Sequence, residues 1–382
     1  MRWGVARHMQ GAGRAAWAAW ALALAACCLA ARAAPAAPAV QPSPAASAVL
    51  APVAAADAMP SLRLRVVGGL ASGNQYTRHE EPFWSQTLPA LTGGRVQVEI
   101  VPFDRAGIRG QDMLRLMQLG VVPLGTAVFG LSATHEPLIG APALAGVNPD
   151  MATLRRTVAA FRPALEARLR ETGVELLAVY AYPAQVLFCS KPFASLGDLA
   201  RRRIRVSGAA QADFVEGLGG VPVYTNFADI TPQVRSGALD CAITGAMSGN
   251  ANGLFEVTTH VYTMAINWGL SLFAANASAW QAMHPALRQL LQQQLPKLEQ
   301  SIWLAAERET TEGLACNIGA EPCSTGKRGH MTAVAPTPAD RQRMKQLLAQ
   351  TVLPRWVARC GTACIDVWNT SLAPSVGVVL GK

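Results

Sequence analysis

Two blocks in which strand patterns alternate with helix patterns, one directly after the other, constrain this chain more than any other feature. The first opens with "LRLRVVGGL" (62–70), then a helical stretch from Tyr76 to about Leu91 stopped by "TGG", then the alternating strand "RVQVEIVPF" (95–103). The helix "GQDMLRLMQLG", the strand "PLGTAVFG" and an amphipathic helix from about Met151 to Thr172 follow, and "VELLAVYAYP" (174–183) closes the block. A second run starts with "QVLFCSKPF". It continues through a helix start with a capping box at "SLGD" (195–198), the strand "RIRVSG", the helix "AQADFVEGLGG" and the strand "VPVYT". The helix "NFADITPQVRSG", with Asn226 and Asp229 read as its caps, and the strand "LDCAITG" complete it. Such alternation specifies mostly parallel sheets covered by helices on both faces, and two successive units specify a cleft between them. The expected fold is therefore α/β and two-lobed, with mixed sheets and a central ligand cleft. At 382 residues, 51% of them hydrophobic, the chain has apolar material for two cores. The C-terminal third reads as helical: residues 284–316 as one long helix kinked by Pro296, and a second helix capped by Thr337 with Pro338 at its first position and Asp340 completing a box. These helices are expected to brace the lobes. The first lobe is placed at 61–183 and about 271–300, the second at 184–270, and a helical region with disulfide loops at 301–382.

Residues 1–33 read as an export signal, with a basic start (Arg2, Arg7, Arg14) and the apolar run "AAWAAWALALAACCLA". That run is too short to predict a retained membrane helix. "ARA" at 31–33 suits an ordinary signal peptidase, whereas "LAAC" at 24–27 resembles a lipobox whose Cys27 would carry a lipid anchor after cleavage at residue 26; both readings stand. Residues 34–60 form an Ala/Pro-rich tether. Either way the expected location is the periplasm, soluble or lipid-anchored. Arg2, Arg7, Arg14 and Arg32 supply four of the formal net charge of +9, so what remains is an ordinary basic surface that suits small anions, or nothing in particular, rather than nucleic acid. The close pairs Cys316/Cys323 and Cys360/Cys364 suggest loops stapled in an oxidising compartment. Zinc is the alternative, but no histidine stands at ligand spacing; no metal and no cofactor are expected.

The chemistry of an enzyme is missing from the sequence. "GLSAT" (130–134) lacks the second glycine of a nucleophile elbow, and "AMSGN" (246–250) fails at both flanks. There is no HExxH, no P-loop and no GxGxxG opening a helix. Glu80 and Glu81 are adjacent on a helix and read as a solvated face. No catalytic residue is nominated, and the expectation is a binding protein, with an extracytoplasmic α/β enzyme as the rival.

"RRRIRVSG" (201–208) contains four arginines with different prospects. Arg201, Arg202 and Arg203 fall after a short helix, where positive charge complements the last carbonyls, and are expected to be solvated. Arg205 lies in a strand on the face opposite Ile204 and Val206, where a guanidinium needs an anionic partner, either a ligand or an internal acid. Asn74, Gln75 and Tyr76 follow the first strand, at the carboxyl end where α/β clefts bind ligands.

The motifs "KPFASLGDLARRRIRVSG" (191–208), "LGGVPVYTNFADITPQVRSGALDCAIT" (218–244) and, upstream, "LTGGRVQVEIVPF" together resemble the substrate-binding subunits of tripartite ATP-independent periplasmic (TRAP) transporters over roughly residues 62–315. The resemblance implies that Arg205 holds the carboxylate of a small organic anion, and that integral membrane subunits receive the loaded protein. It places Thr244 at the ligand, and Asn267 and Trp268 along the cleft, with Trp268 equally readable as core. Many relatives carry a further arginine where this chain has Gln185 or Val186, a departure that weakens a sialic-acid or dicarboxylate assignment. A glycine usually follows the Asp240 position; here stands Cys241, which either pairs with Cys189 or is simply buried. A binding protein for another transporter, or a sensor, is the nearer rival.

Overall fold

The computed structural model describes residues 59–381. The expected export signal, Cys27 and the expected tether up to residue 58 lie outside the described residues. Ten strands form one mixed sheet in the order β2-β1-β3-β9-β4-β7-β5-β6, to which β8 is added on β4 and β10 on β8. β1 (Leu62–Gly68) runs parallel to β2 (Val96–Pro102) over its whole length. β3 (Leu124–Val128) is parallel to β1 and antiparallel to β9 (Asn267–Asn276). β5 (Arg203–Val206) lies between β6 (Val221–Tyr224) and β7 (Cys241–Gly245), parallel to both.

The two blocks of the sequence meet in a single strand. Pro183 suggests a break, yet β4 is one strand, Val174–Cys189, pairing with β9 along its first part and with β7 from Gln185 onward. The β4–β9 register shifts between Ala181 and Ala184. A proline, which has no N–H to donate, is accommodated where the ladder is interrupted. β4 therefore belongs to both halves of the sheet, pairing with β9 in one and with β7 in the other.

Short helices follow the strands: α1 (Phe129–Ser132) directly after β3, the long α2 (Met151–Glu171) before β4, α3 (Ala209–Gly217) after β5, and α4 (Ala246–Ala251) directly after β7. α5 (Pro285–Ile318) continues through Pro296 for 34 residues. Its buried Leu287, Leu291, Leu295, Leu298 and Ile302 recur at three and four residues and join a core with Trp84, Tyr180 and Phe273. Toward its other end Leu314 and Ile318 pack on a second core built from β4, β7 and β8 (His260–Tyr262). At Gly313 the helix lies so close to α4 that a Cβ would stand 2.3 Å from the Met247 nitrogen. α6 (Pro338–Leu347) carries the Thr337/Asp340 capping box, and Asp340 also accepts from the Leu196 amide at 2.8 Å. A helical continuation leads to α7 (Leu353–Cys360). β10 (Thr332–Val334) pairs with β8.

Two local expectations are corrected. Asn226 and Asp229 make no side-chain cap; the Asn226 amide donates to Asp229 instead. Arg202 and Arg203 are not merely solvated, whereas Arg201 is exposed as expected. Arg201 takes a left-handed turn (φ 64), Arg202 donates to the carbonyls of Asp198, Lys191 and Pro192, and Arg203 forms a two-pronged pair with Asp240. Only one helical turn precedes them, so most of their acceptors come from the neighbouring loop and from the approach to β7. Disulfides join Cys316 to Cys323, Cys360 to Cys364, and Cys189 to Cys241 across the β4–β7 pair.

Candidate functional site

A cavity of about 50 Å³ lies where the two halves of the sheet face each other. On one side stand the turn after β3, including Gly130, and residues 137–144; on the other are Ser207, Gly208 and the first turn of α3; Gln185, Asn267 and Trp268 form its floor, and α7 contributes Trp356 and Arg359. The strand "RIRV" ends at Val206, so Ser207 and Gly208 turn the chain directly into α3, whose first amides have no side-chain cap. Gly208 is packed against the opposite half: a Cβ there would lie 2.7 Å from the Gly130 carbonyl oxygen.

An amide network holds the floor. Gln211, 2% exposed, donates to Gln185 and to Asn267 Oδ1 (3.0 Å) and accepts from the Ser207 amide (2.8 Å). The Asn267 amide donates to the Ala143 carbonyl, and the Trp268 indole N–H to that of Asn148 at 2.9 Å. β4, β9 and α3 thus present hydrogen-bonding groups in fixed positions, as small-molecule sites require.

Arg205 does not line this cavity but stands in β5, two residues before Ser207, which does. It pairs in register with Val223 of β6 and Ala242 of β7, and its side chain reaches forward to the carbonyls of Thr225 (3.0 Å) and Ile243 (2.8 Å). The guanidinium therefore sits at the carboxyl edge of three parallel strands. It is 5% exposed, and burial lowers its pKa to about 10, so it stays charged at neutral pH. No carboxylate is paired with it, and three of a guanidinium's five N–H groups find no acceptor among the described residues. Thr244, buried in β7, follows the residue whose carbonyl Arg205 holds.

Gln75 and Tyr76 are not brought to this cavity. Tyr76 is buried under Gly68, and burial, followed by Glu81 and Glu80, pushes its hydroxyl up to about 12. Gln75 belongs to a separate buried cluster around Glu80, and Asn74 donates to Glu309. Glu80 corrects the reading of a solvated pair: Glu81 is exposed, but Glu80 is fully buried and accepts from Gly69 N (2.9 Å), Gln75 Nε2 (2.6 Å) and Thr126 Oγ1 (3.0 Å). Burial without a cation raises its pKa. A carboxyl that holds its proton more tightly folded than unfolded gives stability that is complete below the unfolded pKa and lost as pH rises through the folded one. Glu80→Gln is therefore expected to gain in melting temperature over wild type as pH rises above 4.5, in differential scanning calorimetry. A difference constant with pH contradicts this.

A larger groove of about 920 Å³ runs along β1, β2 and residues 279–284, with Arg63, Arg65, Gln97, Glu99 and His284 in its lining. Among the described residues no cluster of three or more His, Cys, Asp or Glu is placed to hold a metal, and no helix is long and apolar enough to cross a membrane. Sequence reasoning missed Ser207, Gly208 and Gln211, although a Ser-Gly turn between strand and helix marks such a position; it had no signal for Trp356 and Arg359.

A mixed sheet in two halves, joined by shared strands and enclosing a small polar cavity at strand ends, defines the class of two-lobed α/β solute receptors. The chain belongs to the bacterial extracellular solute-binding proteins of family 7, whose family model matches residues 70–354. Its fold is that of TRAP solute receptors. A receptor of Bordetella pertussis that binds pyroglutamic acid is 19% identical, with a TM-score of 0.71 over 81% of this chain and 99% of that one. One from Desulfovibrio salexigens, with bound orotic acid, is 15% identical with a TM-score of 0.71 over 82% and 99%. A third, from Sulfurospirillum deleyianum with bound succinate, is 16% identical with a TM-score of 0.69 over 82% and 100%. No curated protein matches the chain.

Proposed function

We propose that this chain captures a small carboxylate-bearing organic anion outside the cytoplasm and delivers it to TRAP membrane subunits. The carrying observation is Arg205: a buried guanidinium, charged at neutral pH, with no acid beside it and three N–H groups unspent among the described residues. Burying an unpaired cation costs several kcal/mol, a cost that a ligand carboxylate recovers with two parallel hydrogen bonds. The adjoining first turn of α3 favours the same charge. Gln185, Asn267 and Trp268 orient the rest of the ligand, with Thr244 beside the arginine. Pyroglutamate, orotate and succinate, bound by proteins of this fold, set the size and charge of the candidates.

In this reading the lobes comprise 61–183 with about 271–300, and 184–270, and move about β4 and β9, while 301–382 braces both. The protein acts in the periplasm, either freed near Ala33 or anchored through Cys27, and binds without turnover. Isothermal titration of purified protein against pyroglutamate, orotate, succinate and 2-oxobutanoate tests the proposal. Saturable binding of at least one acid at micromolar concentration, unchanged acid recovered afterwards, is the expected result. Absence of binding to all four, or conversion of the bound acid, overturns it.

A further inference from the structure

Among the described residues Arg359 is the only ionisable side chain lining the cavity, and it comes from α7, in the C-terminal region, rather than from either half of the sheet. Its helix is fixed from several directions. Trp356, buried one turn earlier, donates its indole N–H to the Pro137 carbonyl at 2.8 Å, on the β3 side of the cavity. Arg359 itself holds Asp213 of α3 with two hydrogen bonds of 3.1 and 2.5 Å, on the β5 side. Gly361 (φ 87) turns the chain, and the Cys360–Cys364 disulfide fixes the end of the helix immediately after Arg359.

The electrostatics leave Arg359 capable of a further contact. Asp213 is shared, since Arg355 also approaches it at 3.6 Å while pairing with Glu216. The two Asp213 bonds use one N–H on each terminal nitrogen, so three of a guanidinium's five N–H groups have no acceptor among the described residues. Among the described residues nothing else in the lining carries a charge, so any charge-assisted contact from the lining itself falls to Arg359, while Gln185 and Asn267 offer neutral amides.

We infer that Arg359 is a specificity residue of the site, binding a second acceptor oxygen on the ligand (a keto, lactam or second carboxylate oxygen) from the α7 side of the cavity. The inference rests on the carboxylate reading given above. The ligand class narrows to small acids with an additional oxygen acceptor, and α7 becomes a wall of the binding site as well as a brace.

The test is isothermal titration with two matched pairs, pyroglutamate against cyclopentanecarboxylate and succinate against butanoate. Each pair keeps one carboxylate and similar size but removes the second acceptor. Wild type is expected to prefer the acceptor-bearing member of at least one pair by about tenfold, the worth of one charge-assisted hydrogen bond. Arg359→Gln should erase that preference while still binding the simple acid. Arg355→Gln, which disturbs the same ion-pair group without lining the cavity, should keep it and so controls for damage to α7. Equal preference in wild type and Arg359→Gln, or no preference in wild type, overturns the inference. Failure of wild type to bind any of the four acids overturns instead the carboxylate reading on which it rests.

Discussion

Arg205→Met is expected to weaken acid binding by about 100-fold or more while leaving the empty protein folded. Removing one member of a buried, hydrogen-bonded charge pair typically costs roughly 2–5 kcal/mol, and each 1.4 kcal/mol is about tenfold in affinity. The empty protein responds differently because in it the charge has no partner. Burial lowers the Arg205 pKa from 12.5 to about 10, so the folded state binds that proton less tightly than the unfolded chain does. The resulting penalty is present at every pH below the folded value and is relieved as pH rises from about 10 toward 12.5. Methionine removes the penalty but leaves the Thr225 and Ile243 carbonyls without their donors. These effects oppose each other, and the net change in stability is expected within about 1 kcal/mol. Calorimetry and titration on the same samples decide the matter. A variant that binds as tightly as wild type removes Arg205 from the site, and one that loses several kcal/mol of stability makes it a structural residue. A ligand should raise the melting temperature of wild type and not of the variant.

The strand and helix rhythm made the α/β architecture and its two blocks legible in the sequence, because both periodicities are local. What escaped depends on partners remote in the chain. Pro183 signals a break wherever it occurs, but β9, some ninety positions later in the numbering, supplies the pairing that carries β4 through it. Glu80 and Glu81 are chemically identical neighbours; only the approach of Gly69 and Thr126 buries one of them. Arg203 finds Asp240, and Arg359 finds Asp213, across sequence separations of 37 and 146. Arg205 was singled out because strand alternation is local, whereas the absence of an internal acid beside it could be seen only once β6 and β7 had been placed. Gln75 and Tyr76 were chosen for lying at the end of a strand, a rule that locates an edge of the sheet but not the direction of a side chain.

Gly208→Val is expected to reduce affinity about 100-fold by another route, removing neither Arg205 nor any amide of the floor. Gly208 has an extended backbone (φ -173) that any residue adopts, so valine introduces no local strain. The conflict is with the opposite half of the cavity, where a Cβ would meet the Gly130 carbonyl oxygen at 2.7 Å. A main-chain oxygen cannot rotate away as a side chain would, and overpacking of this kind costs about 1–3 kcal/mol. If the halves separate about β4 and β9, each keeps its own core, and the cost falls on the closed arrangement alone. Apparent affinity then drops by the fraction of molecules still able to close. Gly130→Ala is the control, because a Cβ at that position meets nothing within 4 Å. Small-angle scattering with saturating acid should show wild type and Gly130→Ala compact and Gly208→Val more extended, with similar melting temperatures for all three when empty. A valine variant as compact as wild type and equally tight in binding would mean that the Gly208–Gly130 approach plays no part in retaining the ligand.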